Sequence, residues 1–179
     1  ISSHITNGLD LVMTHDGKKV YITGNTSDKI IELVLVTPFD ITTAYWTGVS
    51  LSISSQTGEP RSLMLSSDGL KLYLKGSTTT QLFEYSMSTA YDLSTAVYSS
   101  TIIIPPIEYM SMSPDGKYIY GGYGNYLKQF KTDGTAHVPV TITPSGTTWT
   151  FNASTVDTTG VIGTGFSSGS QNLAISSDG

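Results

Sequence analysis

The chain contains no cysteine among its 179 residues, which excludes disulfide staples, thiolate zinc sites and cysteine nucleophiles together. Charge is also scarce. Asp, Glu, Lys and Arg make up 13% of the chain, about half the usual share. Nine basic against 14 acidic residues give a net charge of −5, so no basic surface exists to neutralise a phosphate backbone, and nucleic acid is excluded as a partner. No apolar run approaches the roughly 20 residues a membrane helix needs. The longest, from Thr101 to Ile107, is broken by Pro105 and Pro106, and no membrane insertion is expected. A composition this poor in charge excludes a coiled coil. The 11 Tyr, 5 Phe and 2 Trp exclude a disordered chain.

Hydroxyl takes the place of charge, with 25 Ser and 26 Thr, and it is arranged in repeats. An apolar triplet, two short residues and Asp-Gly recur four times: at Leu11 to Gly17, Leu63 to Gly69, Met110 to Gly116 and Leu173 to Gly179. The first three copies continue in register as Lys18-Lys19-Val20-Tyr21, Leu70-Lys71-Leu72-Tyr73 and Lys117-Tyr118-Ile119-Tyr120. A third alternating segment follows in each, at Lys29 to Val36, Gln81 to Met87 and Tyr126 to Lys131. The first two copies then share Phe39-Asp40-Ile41-Thr42-Thr43-Ala44 and Tyr91-Asp92-Leu93-Ser94-Thr95-Ala96. The third carries a longer Thr- and Gly-rich tail from 134 to 170 instead.

Short runs rich in Val, Ile, Tyr and Thr, bounded by Gly, Asp, Asn and Ser, predict strands. Asp-Gly between two runs predicts a tight hairpin, with Gly at φ > 0 and Asp tolerating it. The first strand of each repeat is the most continuously apolar and is expected to be buried on both faces; the second and third alternate and are expected to be half-buried. Glu32 and Glu84 fall on a strand face expected to meet solvent. Four strands in about 50 residues is the pattern of a β-propeller blade, so the fold class is all-β, built of blades at approximately 8–59, 60–106, 107–169 and 170–179.

The Asp-Gly-Lys-x-Val/Ile/Leu-Tyr core, closest at Ser113-Pro114-Asp115-Gly116-Lys117, resembles the YVTN-type propeller repeats of bacteria and archaea. The Phe/Tyr-Asp-Ile/Leu-Thr/Ser-Thr-Ala element resembles a variant found in repeat proteins of marine bacteria and their phages. The resemblance covers residues 8 to about 131 and the final ten. A closed propeller uses 4–8 blades; about three and a half repeats, opening at Ile1 rather than Met, set the expectation of a partial propeller within a longer chain.

A residue that every repeat needs serves the repeat, so Asp16, Asp68, Asp115 and Asp178 read as turn residues, and Asp40 and Asp92 as caps. Function is expected where the symmetry breaks, on the face formed by the outer-to-inner connections and the loops between second and third strands. The first set gives Asp10, Glu59, Arg61, Glu108, Tyr109, Gln171 and Asn172; the second gives Asn25, Asp28, Thr78, Thr79, Thr80, Tyr123 and Asn125. From these, Asp10, Glu59, Arg61, Glu108, Tyr109, Asn25, Asp28, Asn125 and Tyr123 are the candidate binding residues. Asp10, Glu59 and Glu108 could offer hard oxygen ligands to a divalent cation, a thought that the resemblance to propeller lactonases invites. The fuller Glu, Asn, Asp and His set of such hydrolases is not visible, and no metal ligand or cofactor is assigned.

His4, His15 and His137 share no ligand spacing, and His15 stands in the turn position of Ser67 and Pro114, a surface place. No Gly-x-Ser-x-Gly elbow occurs, so no catalytic residue is nominated. Gly121-Gly122-Tyr123-Gly124 reads as a tight loop or bulge. Trp46, Trp149, Tyr45, Tyr91, Tyr98 and Tyr126 could form an aromatic platform, against the plainer reading of core and inter-blade packing. The expected function is a non-enzymatic structural or binding module, extracellular or on a virion (tail, fibre, decoration or adhesin). Its partners would be other virion or surface proteins, or a receptor or glycan, with homo-oligomers or larger assemblies possible in principle. The alternative is a metal-dependent propeller hydrolase of lactonase type.

Overall fold

The computed structural model describes residues 5, 7–24, 28–77, 80–104, 106–123, 126–133, 141–145, 148–152 and 161–164; for 122–123, 126–128 and everything from 141 onward, backbone alone. The chain divides into two compact units, Ile1–Thr101 and Ile102–Gly179. The described residues are all-β apart from two single 3-10 turns, and the architecture is that of partial β-propeller blades.

In the first unit, β1 (Gly8–Met13), β2 (Lys19–Gly24), β3 (Lys29–Leu35) and β4 (Ala44–Ser52) form an antiparallel sheet in chain order. The next sheet repeats this with β5 (Pro60–Leu65), β6 (Lys71–Gly76), β7 (Gln81–Met87) and β8 (Ala96–Ile103), the last strand ending just past the unit boundary. In the second unit, β9 (Tyr109–Met112), β10 (Tyr118–Tyr123) and β11 (Tyr126–Lys131) repeat the first three strands. The fourth place goes to β14 (Val161–Thr164), giving the order β14-β11-β10-β9. Between β11 and β14 the 134–170 tail contributes a separate hairpin of β12 (Thr141–Ser145) and β13 (Thr148–Asn152). The tail therefore holds both a fourth strand and an insertion. We call the three sheets blades 1, 2 and 3.

Turn chemistry explains the periodic residues. The Asp16 carboxylate accepts the Thr14 hydroxyl (2.7 Å) and the Lys18 N–H (3.1 Å). Asp68 accepts Ser66 (2.6 Å) and Leu70 N–H (3.0 Å), and Asp115 accepts Ser113 (2.6 Å) and Lys117 N–H (3.1 Å). Each hydroxyl in turn accepts the N–H five residues on, at 2.9–3.0 Å. One expectation is corrected here. Only the glycines take positive φ (Gly17 +67°, Gly69 +71°, Gly116 +71°), while the aspartates stay at negative φ. Asp is needed for its acceptor oxygens rather than for conformational tolerance.

The second signature completes the same turn. Asp40 caps its 3-10 turn by accepting Thr42 N–H (3.0 Å), and Asp92 does so with Ser94 N–H (3.0 Å). The residue before each, Phe39 (φ +65°) and Tyr91 (φ +56°), sits in the left-handed region, which costs about 1–3 kcal/mol for a side chain of this kind. Two interactions hold it there: its N–H donates to Gly17 or Gly69 C=O at 2.9 Å, and its ring covers that glycine. A Cβ on Gly17 or Gly69 would lie 2.6 Å from the ring, so the Gly and the aromatic 22 residues later in each repeat are one device. Gly121 has a different role from the loop expected. It lies within β10, and a Cβ there would lie 2.6 Å from Ile107.

Burial reverses the expected order of strands in blade 1 but not in blade 2, where Ser62, Leu63 and Met64 of β5 are buried as expected. Val20, Tyr21, Ile30, Ile31 and Leu33 of β2 and β3, and Leu72, Tyr73, Leu74 and Leu82 of β6 and β7, are buried on both faces, whereas Leu9 and Leu11 of β1 are exposed. The middle strands of a four-stranded sheet have neighbours on both edges and are covered above and below, so alternation in sequence does not become alternation in exposure. Blades 1 and 2 pack face to face. Tyr21, Ile30 and Ile53 of the first meet Leu63, Leu72, Leu74, Phe83 and Tyr85 of the second in one cluster.

Candidate functional site

In the first unit the topology puts the start of β1, the β2–β3 loop and the β4–β5 connection at one end of the sheets, opposite the Asp-Gly turns. Asp10, Asp28, Glu59 and Arg61 all lie at that end. Both β1 and β5 lose register there, between Gly8 and Asp10 and between Pro60 and Ser62, and such bulges re-aim the flanking side chains.

Asp10 is committed to backbone. Its Oδ1 accepts Leu11 N–H (2.9 Å) and its Oδ2 accepts Leu63 N–H (2.8 Å), tying β1 to β5. Glu59 and Arg61 form an exposed ion pair at 3.6 Å. Asp28 adopts φ +45° and its C=O accepts Ile53 N–H at 2.8 Å. Among the described residues no three His, Cys, Asp or Glu side chains come together as a metal site would need, and the acidic residues at this end do not fit a divalent cation. Glu108 is exposed and Tyr109 half-buried at the start of β9, in the second unit; the backbone of Tyr123 ends β10. Asn25, Thr78, Thr79, Asn125, Gln171, Asn172, Asp178, His4 and His137 lie outside the described residues.

Sequence reasoning missed a polar position inside the blades. Glu32, expected at solvent, is buried: its Oε2 meets Lys19 Nζ at 3.2 Å and accepts the Leu93 N–H of blade 2 at 3.3 Å. In blade 2 the equivalent Glu84 receives two hydrogen bonds from Lys71 Nζ, both 3.1 Å, and one from Tyr73, whose hydroxyl burial and the carboxylate push far upward in pKa. Blade 3 has a neutral version, in which Gln129 Nε2 donates to the Tyr120 hydroxyl at 3.0 Å. Blade 1 alone leaves its tyrosine, Tyr21, with a buried hydroxyl that has no hydrogen-bond partner. Glu32 has exchanged the tyrosine for the neighbouring blade, and burial then drives the Tyr21 pKa up. The signal was available, since Glu32, Glu84 and Gln129 occupy the same repeat position. A second missed residue is Lys75, whose buried ammonium donates to Gly76 C=O at 2.5 Å. It stands where blade 1 has Thr23 and blade 3 has Gly122, a break in symmetry at the candidate end.

The aromatic residues divide. Tyr91 packs on Gly69 and donates to Ser67 C=O at 2.8 Å, with exposed His15 edge-on at 6.4 Å between ring centroids. Tyr45, Trp46 and Tyr98 are exposed on the outer strands β4 and β8, against the packing role expected of them. Outer strands have one sheet neighbour, so their side chains remain at the surface. Trp46 Nε1–H donates to Val49 C=O at 3.3 Å, and Tyr98 stacks edge-on upon Tyr85 at 5.9 Å. For Trp149 and Tyr126 only the strand placement is described.

No protein-family model matches this sequence, and no curated protein matches it. Solved structures match it in fold. A candidate 6-phosphogluconolactonase from Bacteroides uniformis is 21% identical, with a TM-score of 0.53 over 80% of this chain and 39% of that one. A second, from Bacteroides fragilis, is 19% identical, with a TM-score of 0.54 over 94% and 44%. Kuenenia stuttgartiensis hydrazine synthase is 16% identical, with a TM-score of 0.52 over 72% and 33%. The chain thus spans a third to under half of the length of these structures. These likenesses establish the propeller-type fold.

Proposed function

We propose that this chain is a non-enzymatic structural or binding propeller module, displayed on a virion or cell surface, that engages a glycan or a protein partner. The observation that carries the reading is the exposed aromatic pair Tyr45-Trp46 on β4 with Tyr98 on β8, on a surface poor in charge and rich in hydroxyl. Exposed aromatic rings are costly to leave in water and supply rigid contact area to a partner. Neighbouring Ser and Thr hydroxyls suit a neutral, hydroxylated ligand. The resemblance of the Phe/Tyr-Asp-Ile/Leu-Thr/Ser-Thr-Ala element to phage and marine bacterial repeats supports the virion or surface setting. The end with Asp10, Asp28, Glu59 and Arg61 lies opposite the one where Tyr45 and Trp46 begin β4 and offers a separate polar contact surface; Glu108, Tyr109 and Tyr123 hold the corresponding positions in blade 3, and Asn25 and Asn125 remain candidates by position in sequence.

A glycan array followed by titration of any hit tests this. Trp46→Ala and Tyr98→Ala should each weaken binding about tenfold or more, given about 1.4 kcal/mol per decade, and Tyr98→Ala should also lower the melting temperature through its lost contact with Tyr85. Binding that ignores both substitutions overturns the aromatic reading. The second reading, a hydrolase of lactonase type, is favoured by the fold likeness to the two Bacteroides proteins. It predicts turnover of 6-phosphogluconolactone, stimulated by a divalent cation; the donor set among the described residues gives no support to the cation.

A further inference from the structure

We propose that the face of blade 1 turned away from blade 2 is an inter-blade docking surface, and that its occupant is a further propeller repeat carrying a carboxylate where blade 1 carries Glu32. The argument rests on the fold and not on the binding role. A shift of 52 residues maps each residue of blade 1 onto blade 2, so one interface that is visible defines what the equivalent face requires. In blade 2 that face is covered by blade 1: Leu63 is 4% exposed and Leu93 1%. Their counterparts in blade 1, Leu11 and Ile41, are 59% and 56% exposed, and Phe39, the counterpart of half-buried Tyr91, is exposed as well. Exposed apolar residues that are buried in an equivalent repeat mark an interface.

Polar groups agree with this. Across the visible interface the backbone of blade 2 gives two N–H groups to carboxylates of blade 1, Leu63 to Asp10 and Leu93 to Glu32. In blade 1 the Leu11 N–H falls back on its own Asp10, and no carboxylate among the described residues meets the Ile41 N–H. Ile5 packs onto Val20, Ile31, Leu33 and Leu35 of the same face, leaving open the strip of Leu11, Phe39 and Ile41. Among the described residues of the first unit none fills it. Glu32, Glu84 and Gln129, the three holders of the latch position, are already buried or bonded within their own blades. The occupant that meets these demands is a further repeat with Lys and Glu thirteen positions apart, as in Lys19–Glu32 and Lys71–Glu84. The solved propellers, of which the chain covers 39% and 44%, have room for such repeats.

The test has two arms. In the chain alone, Leu11→Asp and Ile41→Asp should leave the melting temperature unchanged, whereas Leu93→Asp should abolish cooperative melting of the first unit. If Ile41→Asp is as damaging as Leu93→Asp, the face is already covered and the proposal falls. In the second arm a copy of residues 8–59 is appended ahead of the whole chain, supplying Lys, Tyr and Glu at the required places. Amide exchange at Ile41 should then slow about tenfold or more, towards that of Leu93. Glu32→Ala in the appended copy should reverse the slowing. An appended copy that shows strand protection of its own yet leaves Ile41 unprotected overturns the proposal. Glycan binding has no part in either arm, so its failure would not be confused with this one.

Discussion

Blades 1 and 2 carry the same turns, caps and Lys–Glu–Tyr position, yet they differ in what surrounds these features. Leu63 and Leu93 are enclosed, while Leu11 and Ile41 stand in water. Glu84 stays with its own Tyr73, and Glu32 has left Tyr21 for the Leu93 N–H. The difference teaches that a repeat sequence specifies a blade's internal bonding almost completely, but burial belongs to the stack. Local rules place the turn; a neighbour decides whether an apolar residue is core.

The largest expected effect breaks the comparison at its apolar positions. Leu63→Ala should cost about 2–5 kcal/mol, read as the midpoint of urea unfolding, while Leu11→Ala should stay within about 0.5 kcal/mol. Similar costs at the two sites would mean that the exposure difference has no energetic content. Next come the carboxylates. Glu32→Ala strands Lys19 and leaves the Leu93 N–H buried without an acceptor, for about 3 kcal/mol. Glu84→Ala lets half-exposed Lys71 regain water but leaves the buried Tyr73 hydroxyl without its acceptor, and should cost about 2 kcal/mol. A double-mutant cycle with Lys19→Ala or Lys71→Ala would show the larger coupling in blade 1.

A smaller contrast concerns the turn glycines. Gly69→Ala and Gly17→Ala both force a Cβ into positive φ and against an aromatic ring at 2.6 Å. Tyr91 is pinned by its hydroxyl on Ser67 C=O, whereas Phe39 is exposed and has no such anchor. Gly69→Ala should therefore cost about 2–3 kcal/mol and Gly17→Ala about 1 kcal/mol less. Thermal melting of the two variants side by side checks the order, and equal costs would show that the ring moves as easily in both.

The strands, the Asp-Gly turns and the 3-10 caps were legible because each is fixed by residues within a few positions of one another. Asp16, Asp40, Asp68, Asp92 and Asp115 bond within two residues of themselves, and local spacing reveals such roles. Glu32 was misread because its partners lie 13 and 61 residues away, and a glutamate in an alternating strand looks like a solvent position. The tie that Asp10 makes between blades was not legible for the same reason: the group that takes its carboxylate is the backbone of Leu63, 53 residues on. Backbone N–H groups have no sequence signature. The aromatic outer strands failed differently. Tyr45 and Trp46 have a strand's composition, but composition does not say that the strand has one neighbour instead of two.

The smallest effect sharpens the comparison by predicting no difference. The carboxyls of Asp16 and Asp68 are held below the usual carboxylate range, first by the hydroxyls of Thr14 and Ser66 and then by turn N–H groups. A carboxyl whose pKa is lower folded than unfolded adds stability above its unfolded pKa, near 3.9, and that stability is lost as pH falls through the lower folded value. Melting temperature should thus decline below about pH 4. Thr14→Ala and Ser66→Ala should each flatten that decline, by similar amounts, because the hydroxyl–carboxylate pair closes within one turn in both blades, with the hydroxyl buried in each. If Ser66→Ala acted much more strongly than Thr14→Ala, the turn of blade 2 would be drawing on blade 1. The division between local bonding and stack-dependent burial would then fail at the place where it is most clearly drawn.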